Sequence, residues 1–188
     1  MRLSGSSVLR TPAIFTVLLL PLSRADVRTC ACDIAHPETM AARECSLCRE
    51  VEAMPPEPQT VFVRDTNPNK PNRWLALPRF HGKSPQQLLD MTPEQRCAYW
   101  SAAIVKGREV WGDRWGLAIN SLEKRTQCHA HIHIGKLRED AENDRFVVVD
   151  GPVDIPVPRD GDGLWVHPAG NRLHVHTEEP AGELKLQR

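Results

Sequence analysis

The segment Thr126–Gly135, with the sequence TQCHAHIHIG, carries three histidines at alternating positions: His129, His131 and His133. Alternate residues of a β-strand point to the same face of a sheet, so this spacing predicts a strand with one imidazole face. The opposite face is predicted to pack in the core and carries Cys128, Ala130, Ile132 and Ile134. A buried imidazole needs a partner for its ring nitrogens. Three neighbouring imidazoles are therefore more typical of a functional site than of a core.

The segments around the histidine strand predict an α+β domain with an antiparallel sheet. Alternating, β-branched stretches predict further strands, at residues 60–65, 73–78, 115–121 and 145–150, with shorter candidates at 173–176 and 183–186. The sequence TPEQ combines the N-cap hydroxyl of Thr92 with a proline at the first helical position, which predicts a helix to about Trp111. A similar helix start is predicted at Ser84. The long helix is predicted to bury one stripe, formed by Trp100, Ala103, Ile104, Gly107 and Trp111.

Residues 1–25 have the three-part layout of a secretory signal peptide. Arg2 and Arg10 precede an apolar run, and the small residues Ser23 and Ala25 follow it. The run, residues 11–22, is short for a membrane span, and an uncleaved membrane anchor is the alternative. The sequence thus predicts an exported protein, periplasmic or secreted. The rest divides into a Cys-rich N-terminal segment (26–58), a catalytic core (59–150) and a β-rich C-terminal extension (151–188).

The charge and cysteine content restrict the partners and the chemistry. The formal net charge is 0 and no basic run is present, so a nucleic-acid partner is not expected. An even number of cysteines, 6, permits disulfides in an exported chain. The Cys45-Ser-Leu-Cys48 spacing equally suits a metal site, and Cys30 and Cys32 offer further disulfide partners. Cys97 lies within the predicted long helix and is expected to be a buried thiol.

Two kinds of chemistry fit the imidazole face. Imidazole is a common ligand of zinc and copper. A neutral imidazole can also attack a phosphoryl group and form a covalent phosphohistidine, while neighbouring groups hold the phosphate oxygens. A nearly all-β metal-binding barrel is disfavoured by the long predicted helix. A second His-x-His pair, His174 and His176, lies near His167; a solvated strand is expected there, and a second metal site is the alternative.

The segment HAHIHIG, His129–Gly135, resembles the signature of the histidine-triad (HIT) family. Upstream, NPNKPNRWLALPRFH, residues 67–81, is similar in spacing to the Asn-Pro, strand and Pro-Lys-x-His segment of that family, and LAIN ends at Asn120 where the family has a strand ending in Asn. The similarity covers about residues 45–137. LAINSLEKRTQCHAHIHI, residues 117–134, is most similar to the CDP-diacylglycerol pyrophosphatase (diphosphatase) branch, which also has an N-terminal hydrophobic segment. Arg73 stands where many HIT hydrolases have a histidine.

The resemblance implies a HIT-like α+β fold, an antiparallel sheet with a long helix packed on it, and a role for each histidine. His131 would be the nucleophile, and His133 would contact phosphate oxygens. Substrate contacts would come from Asn120, Gln127 and Arg125. Cys45 and Cys48 stand where zinc-bearing members have a cysteine pair, so the resemblance implies a structural zinc site formed by Cys45, Cys48, His81 and His129. His129 would either belong to that site or orient the nucleophile.

The resulting hypothesis is an exported HIT-like hydrolase that cleaves a pyrophosphate bond in a nucleotide-containing substrate, such as CDP-diacylglycerol, giving CMP and phosphatidate. Its chemistry requires no cofactor; zinc would be structural, and a disulfide is the alternative at Cys45 and Cys48. The partners implied are a nucleotide or lipid nucleotide, a membrane surface and a second copy of the chain. A general HIT nucleotide hydrolase or nucleotidyl transferase and a non-catalytic periplasmic metal-binding protein are the alternative functions.

Overall fold

A computed structural model describes residues 27–81 and 87–188. The predicted signal peptide, residues 1–25, and the predicted helix start at Ser84 lie outside these residues. Within the described ranges, no helix is both long enough and apolar enough to cross a membrane. The predicted α+β class is confirmed, because a seven-stranded sheet and a long helix make up the structure.

The strands form one sheet in the order β1-β2-β4-β3-β6-β7-β5, and every neighbouring pair is antiparallel. Their bounds are β1 Thr60–Arg64, β2 Trp74–Pro78, β3 Trp115–Ile119, β4 Ile132–Lys136, β5 Val147–Val149, β6 Leu164–Ala169 and β7 Arg172–Thr177. The helices are α1, Ser46–Glu52, and α2, Pro93–Trp111. The sheet places β4, which carries His133, between β2 and β3, so this strand lies inside the sheet and not at an edge.

The predicted long helix is confirmed with its capping box. The Thr92 hydroxyl accepts a hydrogen bond from the Gln95 backbone N–H at 3.2 Å, and the Gln95 side chain accepts one from the Thr92 N–H at 2.8 Å. The predicted stripe faces the sheet: four of its residues are buried and Trp111 packs against the core. Gly107 allows the close approach, since a Cβ atom there would lie 3.0 Å from the Cβ of Trp115.

The histidine strand is shorter than its alternation predicts, because β4 begins only at Ile132. The backbone just before it is held by other partners. The Cys128 N–H donates to the Glu44 carbonyl at 2.8 Å, and the Ala130 N–H donates to the Gln87 side chain at 2.9 Å. The predicted apolar face nevertheless holds across this bend, since Cys128, Ala130, Ile132 and Ile134 are all buried.

The C-terminal part of the chain belongs to the main sheet, since β6 pairs with β3 and β7 pairs with β6. The predicted strand at 183–186 is wrong: Gly182–Lys185 forms a 3-10 helix, and Leu186 makes an isolated bridge to Leu137. The expectation of solvated histidines is also wrong for His167 and His176, which are buried. The rings of Trp165 and His176 stack with centroids 3.6 Å apart, which covers that imidazole.

One disulfide connects the N-terminal segment to the rest of the fold, and a second lies within that segment. Cys30 bonds to Cys128, just before the histidines, and Cys32 bonds to Cys45 at the start of α1. Cys48 is a buried free thiol and Cys97 is a half-buried one. The Cys30–Cys128 bond thereby ties the N-terminal segment to the residue just before His129.

Candidate functional site

A cleft of about 560 Å³ opens beside the histidine segment. Its floor comes from His131, His133 and Asn120, which lie at the adjoining ends of β4 and β3. The start of α1, the turn after β1 and the loop before the histidines form the walls; their lining residues include Arg43, Ser46, Leu47, Asp65, Thr66, Asn67, Lys70, Lys124, Arg125, Thr126 and Gln127. Glu183, from the C-terminal 3-10 helix, completes the lining.

The geometry of His131 fixes which ring nitrogen is available for chemistry. Its Nδ1 lies 2.8 Å from the backbone carbonyl oxygen of His129. A carbonyl can only accept, so Nδ1 carries the proton and Nε2 carries the lone pair. Burial lowers the pKa of His131 to about 3, with the neighbouring His133 as the next cause. The ring is therefore neutral at pH 7, as a nucleophilic imidazole must be.

His133 faces the same cleft and belongs to a polar network. The centroids of the His131 and His133 rings are 4.9 Å apart and their planes are 77° apart. Nε2 of His133 lies 3.5 Å from Nδ2 of Asn120, whose Oδ1 accepts the backbone N–H of Glu183 at 3.2 Å. Burial lowers the pKa of His133 to about 4, although Glu183 raises it. The network positions an amide and a neutral imidazole side by side on the cleft floor.

Glu183 is held by two cations from the β1–β2 hairpin. Its Oε2 forms ion pairs with Lys70 and with Arg73, the latter at 3.0 Å. Burial of the carboxyl raises its pKa, but His133, Lys70 and Asn120 outweigh burial and lower the pKa of Glu183 to about 2. The carboxylate is thus charged across the physiological pH range. Glu183 lies only 3.6 Å from Nδ1 of His133, close enough to influence that ring.

Arg73, which stands where many HIT hydrolases have a histidine, holds the C-terminal segment. Its side chain is buried, and it donates to the carbonyls of Leu186 at 2.7 Å and Gln187 at 3.0 Å as well as to Glu183. A guanidinium satisfies such a set of acceptors with its fixed fork of N–H donors. Arg73 therefore fastens the C-terminal segment to β2 and brings Glu183 to the cleft.

Gln127 and Arg125, both predicted to contact the substrate, differ in how their side chains are used. Gln127 uses its side chain within the protein: its Oε1 accepts from Ser46 Oγ at 2.8 Å and its Nε2 donates to the Arg43 carbonyl at 3.1 Å. Arg125 is buried beside the cleft, and burial lowers the pKa of its guanidinium to about 10. It remains a cation at pH 7. Arg125 can therefore face a ligand anion, whereas Gln127 joins α1 to the histidine loop.

The predicted metal ligands come together in part. Ligand atoms of Cys48, His81 and His129 lie within 4.8 Å of one another, whereas Cys45 is bonded to Cys32 and differs from the prediction in this respect. The Nε2 of His129 hydrogen-bonds the Pro78 carbonyl at 2.7 Å, and its Nδ1 is buried without a hydrogen-bond partner.

Cys48, His81 and His129 offer the sulfur and nitrogen ligands that zinc binds in proteins. A zinc-bound histidine usually donates its other ring N–H to a carbonyl or carboxylate. His129 does so to Pro78, and Nε2 of His81 lies 2.8 Å from a Glu52 carboxylate oxygen. Burial raises the pKa of the Cys48 thiol to about 11; coordination would supply the positive charge that a buried thiolate needs. The cluster supplies three ligands, one fewer than a closed structural zinc site.

The sequence analysis did not single out Lys70 or Glu183, and it noted Arg73 only as a departure from the HIT pattern. Lys70 and Arg73 come from the connection between β1 and β2 and Glu183 from the C-terminal segment, and only the fold brings them together. No model of a known protein family matches this sequence. The function proposed for this cleft therefore depends on its residues and their geometry.

Proposed function

We propose that the cleft is the active site of a HIT-like hydrolase that cleaves a pyrophosphate bond, with His131 as the nucleophile and CDP-diacylglycerol as the leading substrate. The observation that carries the proposal is the hydrogen bond from His131 Nδ1 to the His129 carbonyl. Because this bond holds the proton on Nδ1, Nε2 of His131 keeps its lone pair, and His131 lines the cleft. The antiparallel sheet with α2 packed on it is compatible with the HIT-like fold that the sequence motifs imply.

The charge of the cleft supports an anionic substrate. Four cationic side chains line it, Arg43, Lys70, Lys124 and Arg125, against the two carboxylates of Asp65 and Glu183. Cations near a phosphoryl group stabilise the negative charge on its oxygens during transfer. Lys70, from the turn between β1 and β2, and Arg125, from the loop before the histidines, both line the cleft, and the His133–Asn120 pair offers hydrogen bonds from the floor.

The reaction proceeds in two displacements at phosphorus. The Nε2 lone pair of His131 forms a bond to one phosphorus of the pyrophosphate, and the bond from that phosphorus to the bridging oxygen breaks. The leaving phosphate departs with the electron pair as an anion, so it needs no proton from the protein. Water then attacks the phosphohistidine and forms a bond to phosphorus. The P–N bond breaks and its electron pair returns to Nε2, so the imidazole is neutral again, and the proton lost by the water passes to the solvent. With CDP-diacylglycerol the products are CMP and phosphatidate.

The test uses the purified protein with CDP-diacylglycerol in detergent micelles and, separately, with adenosine nucleotides. Products are identified by phosphorus NMR, and a nucleotidyl or phosphoryl adduct on His131 is sought by mass spectrometry. We expect His131→Ala to lower turnover by at least ~10⁴-fold and to abolish the adduct, whereas His36→Ala, at an exposed position outside the cleft, behaves like the parent. Hydrolysis of adenosine nucleotides alone would support the general HIT hydrolase instead. Equal activity of His131→Ala and the parent would reject the hydrolase.

We propose a structural zinc ion at Cys48, His81 and His129, with Cys45 as the fourth ligand in a chain whose Cys32–Cys45 disulfide is open. The buried Nδ1 of His129 and its clustering with the Cys48 thiol support this assignment. Metal content measured with and without a reductant tests it. Zinc should bind to the parent more tightly after reduction, and Cys48→Ser should abolish that difference.

A non-catalytic metal-binding protein is the second candidate, since the described residues contain several groups of metal-ligating side chains. Catalysis by His131 needs no metal, so a chelator should leave hydrolysis intact apart from effects on stability. A protein that binds metal without catalysis would show no turnover in any metal state. The chelator experiment therefore separates the two functions.

A further inference from the structure

A second cluster of histidines lies on the other half of the sheet. His167 on β6 and His174 on β7 face each other directly in the strand register, and His176 lies next along β7. Glu142, from the segment between β4 and β5, points its carboxylate at all three rings. None of these residues lines the cleft that contains His131.

The ligand atoms of Glu142, His167 and His174 all lie within 4.8 Å of one another. Glu142 oxygens lie 2.7 Å from His167 Nε2 and 3.3 Å from His174 Nδ1. Ligand atoms about 2.1 Å from a tetrahedral zinc ion lie about 3.4 Å apart, which is close to the His174–Glu142 distance, whereas the His167–Glu142 distance is that of a hydrogen bond. His176 Nε2 lies 3.4 Å from His167 Nε2 and 3.5 Å from a Glu142 oxygen, at the edge of the same group.

The polar contacts of His167 also favour a metal ion at this cluster. Its Nδ1 lies 3.0 Å from the Pro168 carbonyl, and its Nε2 faces a carboxylate oxygen at 2.7 Å. A neutral imidazole has one N–H, so it cannot donate to both acceptors. Either a second proton on the ring or a metal cation beside Nε2 resolves this conflict. In the second case the ring nitrogen and the carboxylate both give the cation a lone pair. The Nδ1 bond to a carbonyl is also the usual outer contact of a metal-bound histidine.

Aromatic neighbours hold the rings in place. Phe146 stacks on His174 with centroids 3.8 Å apart, and Trp165 stacks on His176 at 3.6 Å. His167 and His176 are buried, whereas the Glu142 side chain is 46% exposed. The buried part of the cluster is thus preorganised, and the carboxylate closes it from the solvent side.

We propose that Glu142, His167 and His174 bind a divalent first-row transition-metal ion, with His176 positioned beside it. Two imidazoles and a carboxylate are a donor set of zinc and of its neighbours in the series. The ion would fasten the segment between β4 and β5 to the β6–β7 pair. This site is separate from the proposed hydrolase site and does not depend on it.

The experiment uses metal-free protein titrated with Co²⁺ and, separately, with Zn²⁺. Cobalt at the Cys48 cluster would give a thiolate charge-transfer band, whereas cobalt held by nitrogen and oxygen would show only d–d absorption. The Cys48→Ser variant should therefore retain the d–d bands and bind Zn²⁺ in calorimetry. In that background Glu142→Gln and His174→Gln should each weaken Zn²⁺ binding by at least tenfold.

Two matched substitutions serve as controls, Asp150→Asn and His36→Gln. Asp150 is an exposed carboxylate paired with Arg172 on the same part of the sheet, and His36 is exposed elsewhere. Both should bind Zn²⁺ like the Cys48→Ser parent. Glu142 and the partly exposed His174 are not core residues, so their variants should fold, as circular dichroism can verify. The proposal is overturned if Cys48→Ser binds no Co²⁺ or Zn²⁺, or if Glu142→Gln and His174→Gln bind as tightly as the controls.

Discussion

The backbone carbonyl of His129 accepts a hydrogen bond from Nδ1 of His131 at 2.8 Å. The same residue turns its own ring away from the cleft, toward Pro78 and the Cys48 thiol. One residue therefore orients the proposed nucleophile through its backbone and joins the metal-ligand cluster through its side chain. This division explains how two adjacent members of the alternating pattern can belong to different sites.

The neutral state of His131 predicts the acid limb of the pH–activity profile. Burial lowers the pKa of its imidazole from 6.5 to about 3, so the free enzyme keeps the nucleophile unprotonated well below pH 6. We expect kcat/KM to remain level from pH 7 to about pH 5 and to fall only at lower pH. Initial rates between pH 4 and pH 8 with the hydrolysed substrate measure this. A one-proton limb with its midpoint near 6.5 would contradict the buried, neutral nucleophile.

The same buried imidazoles predict how stability depends on pH. The pKa of His133 is about 4 in the folded protein against 6.5 for an ordinary histidine. The unfolded chain therefore binds more protons between these values, and stability present above pH 6.5 is lost as the pH falls toward 4. Each such histidine contributes up to about 1.4 kcal/mol per pH unit within that window. Urea unfolding at several pH values, with EDTA present, measures the slope.

A substitution separates the contribution of His133 from that of the other groups. His133→Asn should reduce the dependence of the unfolding free energy on pH between 6.5 and 4, while His36→Asn at the exposed position should leave it unchanged. An unchanged slope in His133→Asn would mean that the imidazole does not become protonated on unfolding.

Arg73 is predicted to be a major determinant of stability. Its guanidinium is buried and holds Glu183 and two carbonyls of the C-terminal segment. Removing one partner of a buried ion pair typically costs about 3 kcal/mol, and Arg73→Ala should lower the unfolding free energy by that amount. Arg73→Lys keeps the charge but loses the fork of donors, so it should recover only part of the loss.

The exposed ion pair of Arg172 with Asp150 supplies the control for Arg73. Such surface pairs contribute little to stability, and Arg172→Ala should behave nearly like the parent. In limited proteolysis, the C-terminal segment of Arg73→Ala should be cut faster than the same segment of the parent or of Arg172→Ala. Resistance equal to that of the parent would show that the segment is held by other contacts.

The alternation and the capping residues allowed much of the fold to be predicted, because they are local signals. The helix from Thr92 and the apolar face of the histidine segment follow from residues close in sequence. The strand that was predicted over Glu183 failed because the hydrogen bonds of that segment to Asn120 and Arg73 are long-range. Lys70 and Glu183 could not be predicted as site residues, because their role also depends on long-range contacts. A lysine in a turn and a glutamate near a terminus carry no local signature.

The two disulfides are predicted to differ in their contribution to stability. Cys30–Cys128 closes a sequence separation of 98 residues, and Cys32–Cys45 closes one of 13. In the chain-entropy account a longer loop loses more freedom on crosslinking, which gives about 4.7 kcal/mol for a 100-residue loop and about 3 kcal/mol for a 15-residue loop. The double variant Cys30→Ser/Cys128→Ser should therefore be less stable than Cys32→Ser/Cys45→Ser by about 1.7 kcal/mol. Guanidinium unfolding of both variants and the parent measures the difference, with EDTA present because Cys45 is also a proposed zinc ligand. Equal losses in the two variants would show that local packing, rather than loop closure, determines the effect.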